Sequence, residues 1–179
     1  MRDDVLVPLV SLVPLVRRAH GDDLPRLAAL LRDCCAQMQR DGIDQWDDLY
    51  PTDATLRADV AAGTLHVAAT PERATAGAIA VDQRAEPEYA DVAWHFTRSP
   101  VGVVHRLMIH PSCQRRGLGR HLMGFAEAEA RRLGCATLRL DTFTGNAPSL
   151  ALYASLGYRA AGLVRFRKGT FRCFEKELA

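Results

Sequence analysis

The chain has 179 residues, of which 48% are hydrophobic and 25% are charged, and its formal net charge is +2. This length suits a single domain with a substantial core, and the small net charge gives no reason to expect a nucleic-acid or membrane partner. Five cysteines, an odd number without metal-ligand spacing, predict free thiols in a reducing cytoplasm and no bound metal.

The N-terminal segment is apolar and internally repeated. Residues 6–10 read Leu-Val-Pro-Leu-Val, and residues 12–16 repeat the same five letters. Two prolines interrupt a run that is too short to cross a bilayer. We expect residues 1–11 to be an apolar extension and residues 12–179 to be the domain. One copy of the repeat is expected to form the first strand, and the other is either disordered or a strand for a neighbouring subunit.

Hydrophobic periodicity divides the rest of the chain into helical and extended segments. The Gly-Asp-Asp run at residues 21–23 precedes the first helical pattern, which Gly42 ends. Helical patterns cover residues 24–40, 52–62, 117–133 and 148–156; extended patterns cover residues 65–69, 76–81, 103–109, 137–141, 158–164 and 171–178. The periodicity by itself predicts one mixed α/β domain.

The segment after the extended run 103–109 combines glycines with cations. Residues 114–120 read Gln-Arg-Arg-Gly-Leu-Gly-Arg and lead into a helix, whose first amide groups have no helical acceptor. Gly117 and Gly119 let an anion approach the main chain, so the segment predicts a phosphate or pyrophosphate site. It lacks the Lys-Ser/Thr pair of nucleoside-triphosphate loops, and Leu122 stands where the dinucleotide fingerprint needs a third glycine.

The Gln-x-x-Gly-x-Gly spacing of this segment resembles the pyrophosphate loop of the GCN5-related N-acetyltransferases. A second sequence motif supports the same resemblance. Residues 152–158 read Leu-Tyr-Ala-Ser-Leu-Gly-Tyr, which is similar to the helix that follows a strand and an Asn in that family. The element order β-α-α-β-β-β-α-β-α-β-β is also the family's. The resemblance implies a single-domain acyl-CoA N-acyltransferase fold of class α/β (α+β), with a mixed, mostly antiparallel sheet of about seven strands and about four flanking helices.

The resemblance also implies where acetyl-CoA, the expected cosubstrate, binds. Main-chain groups at Leu107 and Ile109 are expected to hold the pantetheine arm and polarise the acyl carbonyl. The intervening Met108 alternates to the other face of its strand. The full predicted set is Leu107, Met108, Ile109, Gln114, Arg115, Arg116, Gly117, Leu118, Gly119, Arg120, Asn146, Ser149 and Tyr153.

Two of the predicted site residues carry catalytic roles. Tyr153 is expected to face the cofactor sulfur and to protonate the departing thiolate, because a phenol with a pKa near ~10 is a suitable donor. His105, on the strand that precedes the loop, has an intrinsic pKa suited to a general base. Asp141, Glu88 and a water chain are the alternatives for that base.

The acceptor pocket is expected to be walled by residues 45–50, by Trp94 and His95, and by the hairpin near residues 166–172. Two arginines in this region are suited to a carboxylate on the acceptor, and internal ion pairs are the alternative use of both. The predicted acceptor-binding set is Gln45, Trp46, Tyr50, Arg106, Asp141 and Arg172.

Together these features predict a cytoplasmic, homodimeric N-acetyltransferase that moves an acetyl group from acetyl-CoA to a primary amine of a small molecule, by direct transfer in a ternary complex. One alternative is an acyl-CoA-binding sensor without catalysis, because Phe143 replaces a His that many members of a similar branch carry after Asp-Thr. Another alternative is a transferase that uses a different acyl-CoA, such as succinyl- or malonyl-CoA.

Overall fold

A computed structural model of the chain describes residues 14–178. Within this range lie seven β-strands and four α-helices in the predicted order. The strands are β1 (Leu15–Arg18), β2 (Leu65–Thr70), β3 (Arg73–Asp82), β4 (Val101–Ile109), β5 (Thr137–Phe143), β6 (Arg159–Phe166) and β7 (Gly169–Glu177). The helices are α1 (Leu24–Arg40), α2 (Asp53–Ala62), α3 (Leu118–Arg132) and α4 (Ala147–Ser155), with short 3-10 turns at Gly21–Asp23, Pro87–Asp91 and Pro111–Cys113.

The seven strands form one sheet in the order β1-β2-β3-β4-β5-β7-β6. Every neighbouring pair is antiparallel except β4 and β5, which are parallel. Those two strands pair only where residues 101–103 of β4 lie beside residues 137–139 of β5. Beyond that point the strands separate, so the carboxyl half of β4 has no strand partner on the β5 side. This separation opens a cleft in the middle of the sheet.

A β-bulge lies in the half of β4 that borders the cleft. His105 is opposite Ala80 and Met108 is opposite Ala78, so two residues of β4 face one residue of β3. Arg106, inside the bulge, has a φ of 50°. The extra residue inverts the alternation of side chains along the strand. As a result, Met108 packs in the core beneath α1, whereas Leu107 packs against the core beneath α3.

Helices cover both faces of the sheet. Leu27, Leu30, Leu31 and Cys34 give α1 a buried stripe, and α3 buries a stripe, also at helical spacing, made of Leu118, Leu122, Met123, Ala126 and Ala130. Complete burial of a large aliphatic side chain contributes roughly 1.5–3 kcal/mol, so these stripes fix both helices on the sheet. α3 therefore holds its N-terminus, and the loop before it, at the open end of the cleft.

The apolar N-terminal repeat is described only in part. β1 contains Leu15 and Val16 from the second copy and pairs with β2 at the edge of the sheet. The first copy and the whole 1–11 extension lie outside the described residues. No α-helix between residues 14 and 178 combines the length and apolar character needed to cross a bilayer. The five cysteines are all free.

Candidate active site

The cleft between β4 and β5 contains a cavity of about 700 Å³, a volume typical of small-ligand sites. It is walled by α1, the loop after α1, β4, residues 114–120, β5, α4 and the β6–β7 hairpin. Most of the predicted site residues line it, namely Gln45, Trp46, Tyr50, His105, Arg106, Leu107, Ile109, Gln114, Arg115, Gly117, Gly119, Arg120, Asp141, Asn146, Ser149 and Tyr153. One cavity thus joins the residues predicted for cofactor, catalysis and acceptor.

Four residues of the predicted cofactor- and acceptor-binding sets do not line the cavity, for reasons of local structure. The side chains of Met108 and Leu118 are buried in the cores beneath α1 and α3. Arg116 is exposed on the outside of the loop. Arg172 alternates with Phe171 along β7, and Phe171 is the residue that reaches the cavity.

Residues 115–120 present a row of main-chain amide groups at the start of α3. The amide N–H groups of these residues donate to no acceptor in the described part of the chain, whereas the next one, His121, bonds the carbonyl of Gly117 at 3.0 Å. Arg115 and Gly117 have positive φ values of 59° and 83°. Consecutive unpaired amides at a helix N-terminus form an anion site. With the guanidinium groups of Arg115 and Arg120 beside it, this loop fits a diphosphate.

Tyr153 projects from α4 into the deep end of the cavity and is only 5% exposed. Its ring packs against those of Tyr158 and Phe174, with centroids 6.1 and 5.7 Å away. Burial, together with the nearby charge of Asp141, raises the pKa of the Tyr153 phenol well above its usual value. The phenol is therefore protonated at neutral pH and is able to act as a proton donor.

Asn146 links the helix that carries Tyr153 to the loop after α1. Its Oδ1 accepts a hydrogen bond from the amide of Ser149 at 3.1 Å, which caps α4. Its Nδ2 donates to Oε1 of Gln45 at 2.7 Å. All three residues line the cavity, so this cap also sets the position of one cavity wall.

His105 is surrounded by acceptors. Its Nε2 lies 3.2 Å from Oδ1 of Asp82 and 3.2 Å from the carbonyl oxygen of Arg84, and its Nδ1 lies 3.8 Å from Glu86. Burial opposes ionisation of Asp82, but hydrogen bonds from His105 and from the amide of Arg84 lower the pKa of that carboxyl to about 2. His105 is thus held against a carboxylate in the middle of β4.

Asp141 lies on β5 across the cleft from β4. Its Oδ2 accepts a hydrogen bond of 2.7 Å from the phenol of Tyr89, in the 3-10 turn Pro87–Asp91. Burial raises the pKa of the Asp141 carboxyl to about 6, although the Tyr89 hydrogen bond lowers it. Tyr89 was not among the predicted residues, because the stretch between β3 and β4 has no periodic pattern that would have located it.

Arg106 forms the internal ion pair that the sequence left open as an alternative. Its Nε and Nη2 donate to the two carboxylate oxygens of Asp59 at 2.7 and 2.8 Å, and both side chains are buried. Its Nη1 donates to the hydroxyl of Tyr50 at 2.9 Å. The guanidinium therefore anchors α2 to the bulge and fixes Tyr50 at the cavity wall.

The mouth of the cavity is bridged by ion pairs between the loop after α1 and the β6–β7 hairpin. Arg167 lies 2.6 Å from Asp47, and Lys168 contacts both Asp44 and Asp47. These two cations line the cavity and were missed as individual residues. Trp46 lies in the bridged loop and packs against the core beneath α1. The ion pairs thus join two segments that both contribute residues to the cavity wall.

Trp94 and His95, predicted as pocket walls, do not line the cavity. The guanidinium of Arg139 stacks over the indole of Trp94, with its Cζ atom 4.1 Å from the centroid of the indole ring. His95 lies 2.9 Å from the fully buried Glu175. These contacts hold the connection between β3 and β4 against the sheet. Across residues 14–178, no group of three or more His, Cys, Asp or Glu side chains is arranged to hold a metal ion.

The family model described as the acetyltransferase (GNAT) family matches residues 27–158, a range that contains the amide-lined loop and Tyr153. A curated relative, the ribosomal protein bS18-alanine N-acetyltransferase of Escherichia coli (strain K12), is 41% identical over 59 residues. That match covers 33% of this chain and 40% of the relative, so the chain spans less than half the length of the curated relatives it matches.

Solved structures share the fold over most of the chain. An acetyltransferase of the GNAT family from Streptococcus agalactiae 2603 superposes with a TM-score of 0.81 at 22% identity, covering 92% of this chain and 95% of that one. The yncA protein of Salmonella typhimurium, solved with its cofactor acetyl-CoA, superposes with a TM-score of 0.67 at 19% identity, covering 93% and 95%. The predicted N-acyltransferase fold is thereby confirmed.

Proposed function

The chain belongs to the GNAT family of acetyltransferases, and from this premise we propose that it moves an acetyl group from acetyl-CoA to a primary amine of a small molecule, by direct transfer in a ternary complex. The observation that carries the proposal is that the amide-lined loop, the buried phenol of Tyr153 and the predicted acceptor residues Gln45, Tyr50 and Asp141 all line one cavity. Donor and acceptor are thus able to meet without a covalent enzyme adduct.

The loop and the strand edge supply the donor site. Amide groups of residues 115–120 and the guanidinium groups of Arg115 and Arg120 bind the diphosphate of acetyl-CoA, which supplies an acyl group activated as a thioester. Past residue 103, β4 has no partner on the β5 side, so its main chain is open to the pantetheine arm. We expect the bulge at Leu107 to orient the acyl carbonyl there.

Tyr153 is the proposed proton donor to the departing sulfur. Its raised pKa keeps the proton on the phenol until a thiolate forms beside it. Of the side chains that the sequence offered as bases for the amine, His105 and Asp141 line the cavity. Glu88, the third candidate from the sequence, does not line the cavity.

The acceptor site is the part of the cavity between Asp141 and the bridged mouth. The ion pairs of Asp44 and Asp47 with the β6–β7 hairpin close this side, which favours a small amine over an extended protein segment. The curated relative acts on an alanine of a ribosomal protein, so a peptide beginning with alanine is the second acceptor class to test.

The proposal is tested in two steps. Calorimetry with acetyl-CoA is expected to detect one site per chain, and a release assay for free thiol is expected to find turnover with members of a panel of amines, polyamines, amino acids and aminoglycosides. Binding without turnover on any of these, together with turnover on a peptide that begins with alanine, would overturn the small-molecule assignment. Absence of acetyl-CoA binding would overturn the donor assignment.

Substitution of Tyr153 by Phe tests the proton donor. We expect turnover to fall on the order of 10²-fold, while the Kd for acetyl-CoA changes by less than about threefold. Tyr158→Phe is the matched control, because it removes another buried phenol that does not line the cavity. Unchanged turnover in Tyr153→Phe would remove Tyr153 from the mechanism.

We further propose that the protein is a cytoplasmic homodimer and that acetyl-CoA is preferred over succinyl- or malonyl-CoA. Both edges of the sheet carry exposed apolar side chains, with Leu15 on β1 exposed by 67% and Leu163 on β6 by 55%. Light scattering measures the molecular mass of the full chain in solution and so tests for the dimer. The same measurement on a chain without residues 1–10 shows whether the N-terminal repeat contributes to the dimer contact. A donor panel in the thiol assay ranks the acyl groups.

A further inference from the structure

We propose that Asp141 accepts the proton of the acceptor's ammonium group, and that Tyr89 is the positioning residue that holds Asp141 for this task. The inference rests on the proposed function and names the base of that same site. It depends on a contact between β5 and the 3-10 turn Pro87–Asp91, two parts of the chain that are separated by 52 positions.

The two oxygens of the Asp141 carboxylate have different surroundings. Oδ2 accepts the 2.7 Å hydrogen bond from the Tyr89 hydroxyl, and Oδ1 has no hydrogen-bond partner in the described part of the chain. The side chain lines the cavity, on the strand that faces β4 across the cleft, and the charge of Asp141 acts on the phenol of Tyr153. One oxygen is therefore fixed, and the other is free to meet an ammonium group in the cavity.

His105 is less suited to accept that proton. Its Nε2 is within 3.2 Å of both the Asp82 carboxylate and the carbonyl oxygen of Arg84. These two oxygens are acceptors, so they require a proton on Nε2 and leave only Nδ1 able to take one up. Nδ1 lies 3.8 Å from Glu86, so a proton gained there would pair with that carboxylate, whereas Oδ1 of Asp141 has no hydrogen-bond partner in the described part of the chain.

Tyr89 is fixed well enough to position a partner. It is 3% exposed, its ring lies 5.2 Å from that of Trp94, and its carbonyl oxygen accepts a 2.9 Å hydrogen bond from the Trp94 indole. Burial raises the pKa of the Tyr89 phenol well above the usual value, so this group stays a donor across the working pH range. A neutral donor orients the Asp141 carboxylate without neutralising it.

The surroundings of Asp141 determine where it titrates. Burial raises its pKa to about 6, against the lowering effects of the Tyr89 hydrogen bond and the charge of His105. Glu86 and Glu88 raise it further. The titratable groups that face Asp141 from all packed elements are Tyr50, Glu86, Glu88, Tyr89, His105, Tyr153 and Cys173. A carboxyl that titrates slightly below neutrality is an effective general base at neutral pH.

The proposed step balances in protons and electrons. An ammonium acceptor must lose two protons as it becomes an amide. Asp141 takes the first, which leaves a neutral amine. The nitrogen lone pair then forms the C–N bond, the C–S bond breaks with its electron pair on sulfur, and Tyr153 supplies a proton to that sulfur. The second proton of the nitrogen restores the Tyr153 phenol, and Asp141 releases its proton to solvent.

The test is the pH dependence of kcat/KM for the best amine of the panel, measured in the full chain and in two variants. We expect an acidic limb with an apparent pKa near 6 for the unmodified protein. Tyr89→Phe removes a hydrogen bond to the charged form, so the limb should move upward by about 0.5–1 pH unit. Asp141→Asn should abolish the limb and lower turnover on the order of 10²-fold or more. Asp91→Asn, an exposed residue of the same turn, is the control.

Three results would overturn the inference: an unmoved limb in Tyr89→Phe, turnover of Asp141→Asn within threefold of the unmodified protein, or a limb that disappears in His105→Gln and persists in Asp141→Asn. Carbon-13 NMR titration of labelled aspartates, with Asp141→Asn as the assignment variant, needs no acceptor. A value for Asp141 near the ordinary ~3.9 would also overturn the inference. If no amine of the panel is acetylated, the proposed function fails and the base role falls with it, while the NMR titration still shows separately whether the Asp141 carboxyl titrates near 6.

Discussion

Nδ2 of Asn146 donates a 2.7 Å hydrogen bond to Oε1 of Gln45, and this single contact joins the cap of α4 to the loop that walls the proposed acceptor side of the cavity. The two residues are separated by 101 positions in the chain. Because α4 also carries Tyr153, the contact couples the proposed proton donor to the acceptor wall. The geometry of the two sites is therefore set together.

Substitutions at Asn146 and Gln45 separate two interactions: the cap that Asn146 provides to α4, and the hydrogen bond that links Asn146 to Gln45. Asn146→Ala removes both, and we expect it to lower the free energy of unfolding by about 1 kcal/mol more than Gln45→Ala, which removes only the link. Both variants should raise KM for the amine while leaving acetyl-CoA affinity within a few-fold. Gln45→Glu keeps an acceptor for Asn146 and is the matched control. Urea unfolding and steady-state kinetics measure these effects, and equal stability of the two alanine variants would contradict the capping role.

Glycine at position 117 is required by backbone conformation. No heavy atom would lie within 4 Å of a Cβ there, but its φ is 83°, so Gly117→Ala should cost about 1 kcal/mol of stability and weaken acetyl-CoA binding by distorting the amide row. Gly124, inside α3, also has open space around it but an ordinary helical conformation. Gly124→Ala should therefore stabilise by roughly 0.5–1 kcal/mol and leave binding unchanged. Calorimetry that finds equal acetyl-CoA affinity in both variants would refute the role of the loop conformation.

The buried pair of Arg106 and Asp59 should be costly to break from one side. Arg106→Ala leaves the Asp59 carboxylate buried without its cation, and we expect a loss of about 3–5 kcal/mol. The same substitution at Arg57, exposed on α2, should change stability by no more than about 0.5 kcal/mol. Denaturant unfolding of both variants measures the difference. A loss below about 1 kcal/mol for Arg106→Ala would show that the pair does not anchor α2.

Asp141 should make the folded state less stable as pH rises. Its pKa is about 6 in the folded chain and about 3.9 when unfolded, so the folded state binds more protons between these values and stability falls with increasing pH. Asp141→Asn should therefore stabilise the protein by roughly 1–3 kcal/mol at pH 8 and have almost no effect at pH 4. Urea unfolding at the two pH values measures this. A stabilisation that is equal at both would exclude the raised pKa.

The sequence predicted those parts of the site that are local in the chain. The amide-lined loop depends on Gly117, Gly119 and the cations beside them, all within seven residues, and the α4 motif places Tyr153 by the same short-range logic. Strand bounds were less precise: β3 begins at Arg73 and β4 at Val101, ahead of residues 76 and 103. Ladder hydrogen bonds extend past the apolar positions that the pattern detects.

Contacts between distant segments were not predictable. Nothing in the aperiodic stretch 83–100 indicates that Tyr89 meets Asp141, or that Trp94 turns away from the cavity to pack beneath Arg139. The partner of Arg106 was also undetermined, because two charged residues on unrelated elements give no sequence signal of contact. The bulge had no signal either, although it places Met108 outside the cavity and Leu107 at its wall.

The bulge in β4 makes the register of that strand matter more than its composition. Closing the bulge without removing a residue would shift residues 107–109 by one position along β3, so that Leu107 would face Ala78, the present partner of Met108. Leu107 and Ile109 would then turn toward the opposite layer of the molecule, and the aliphatic side of the proposed donor site would be lost without any change in hydrophobicity. The backbone conformation of Arg106, with its φ of 50°, therefore matters to the cleft as much as the apolar residues beside it do.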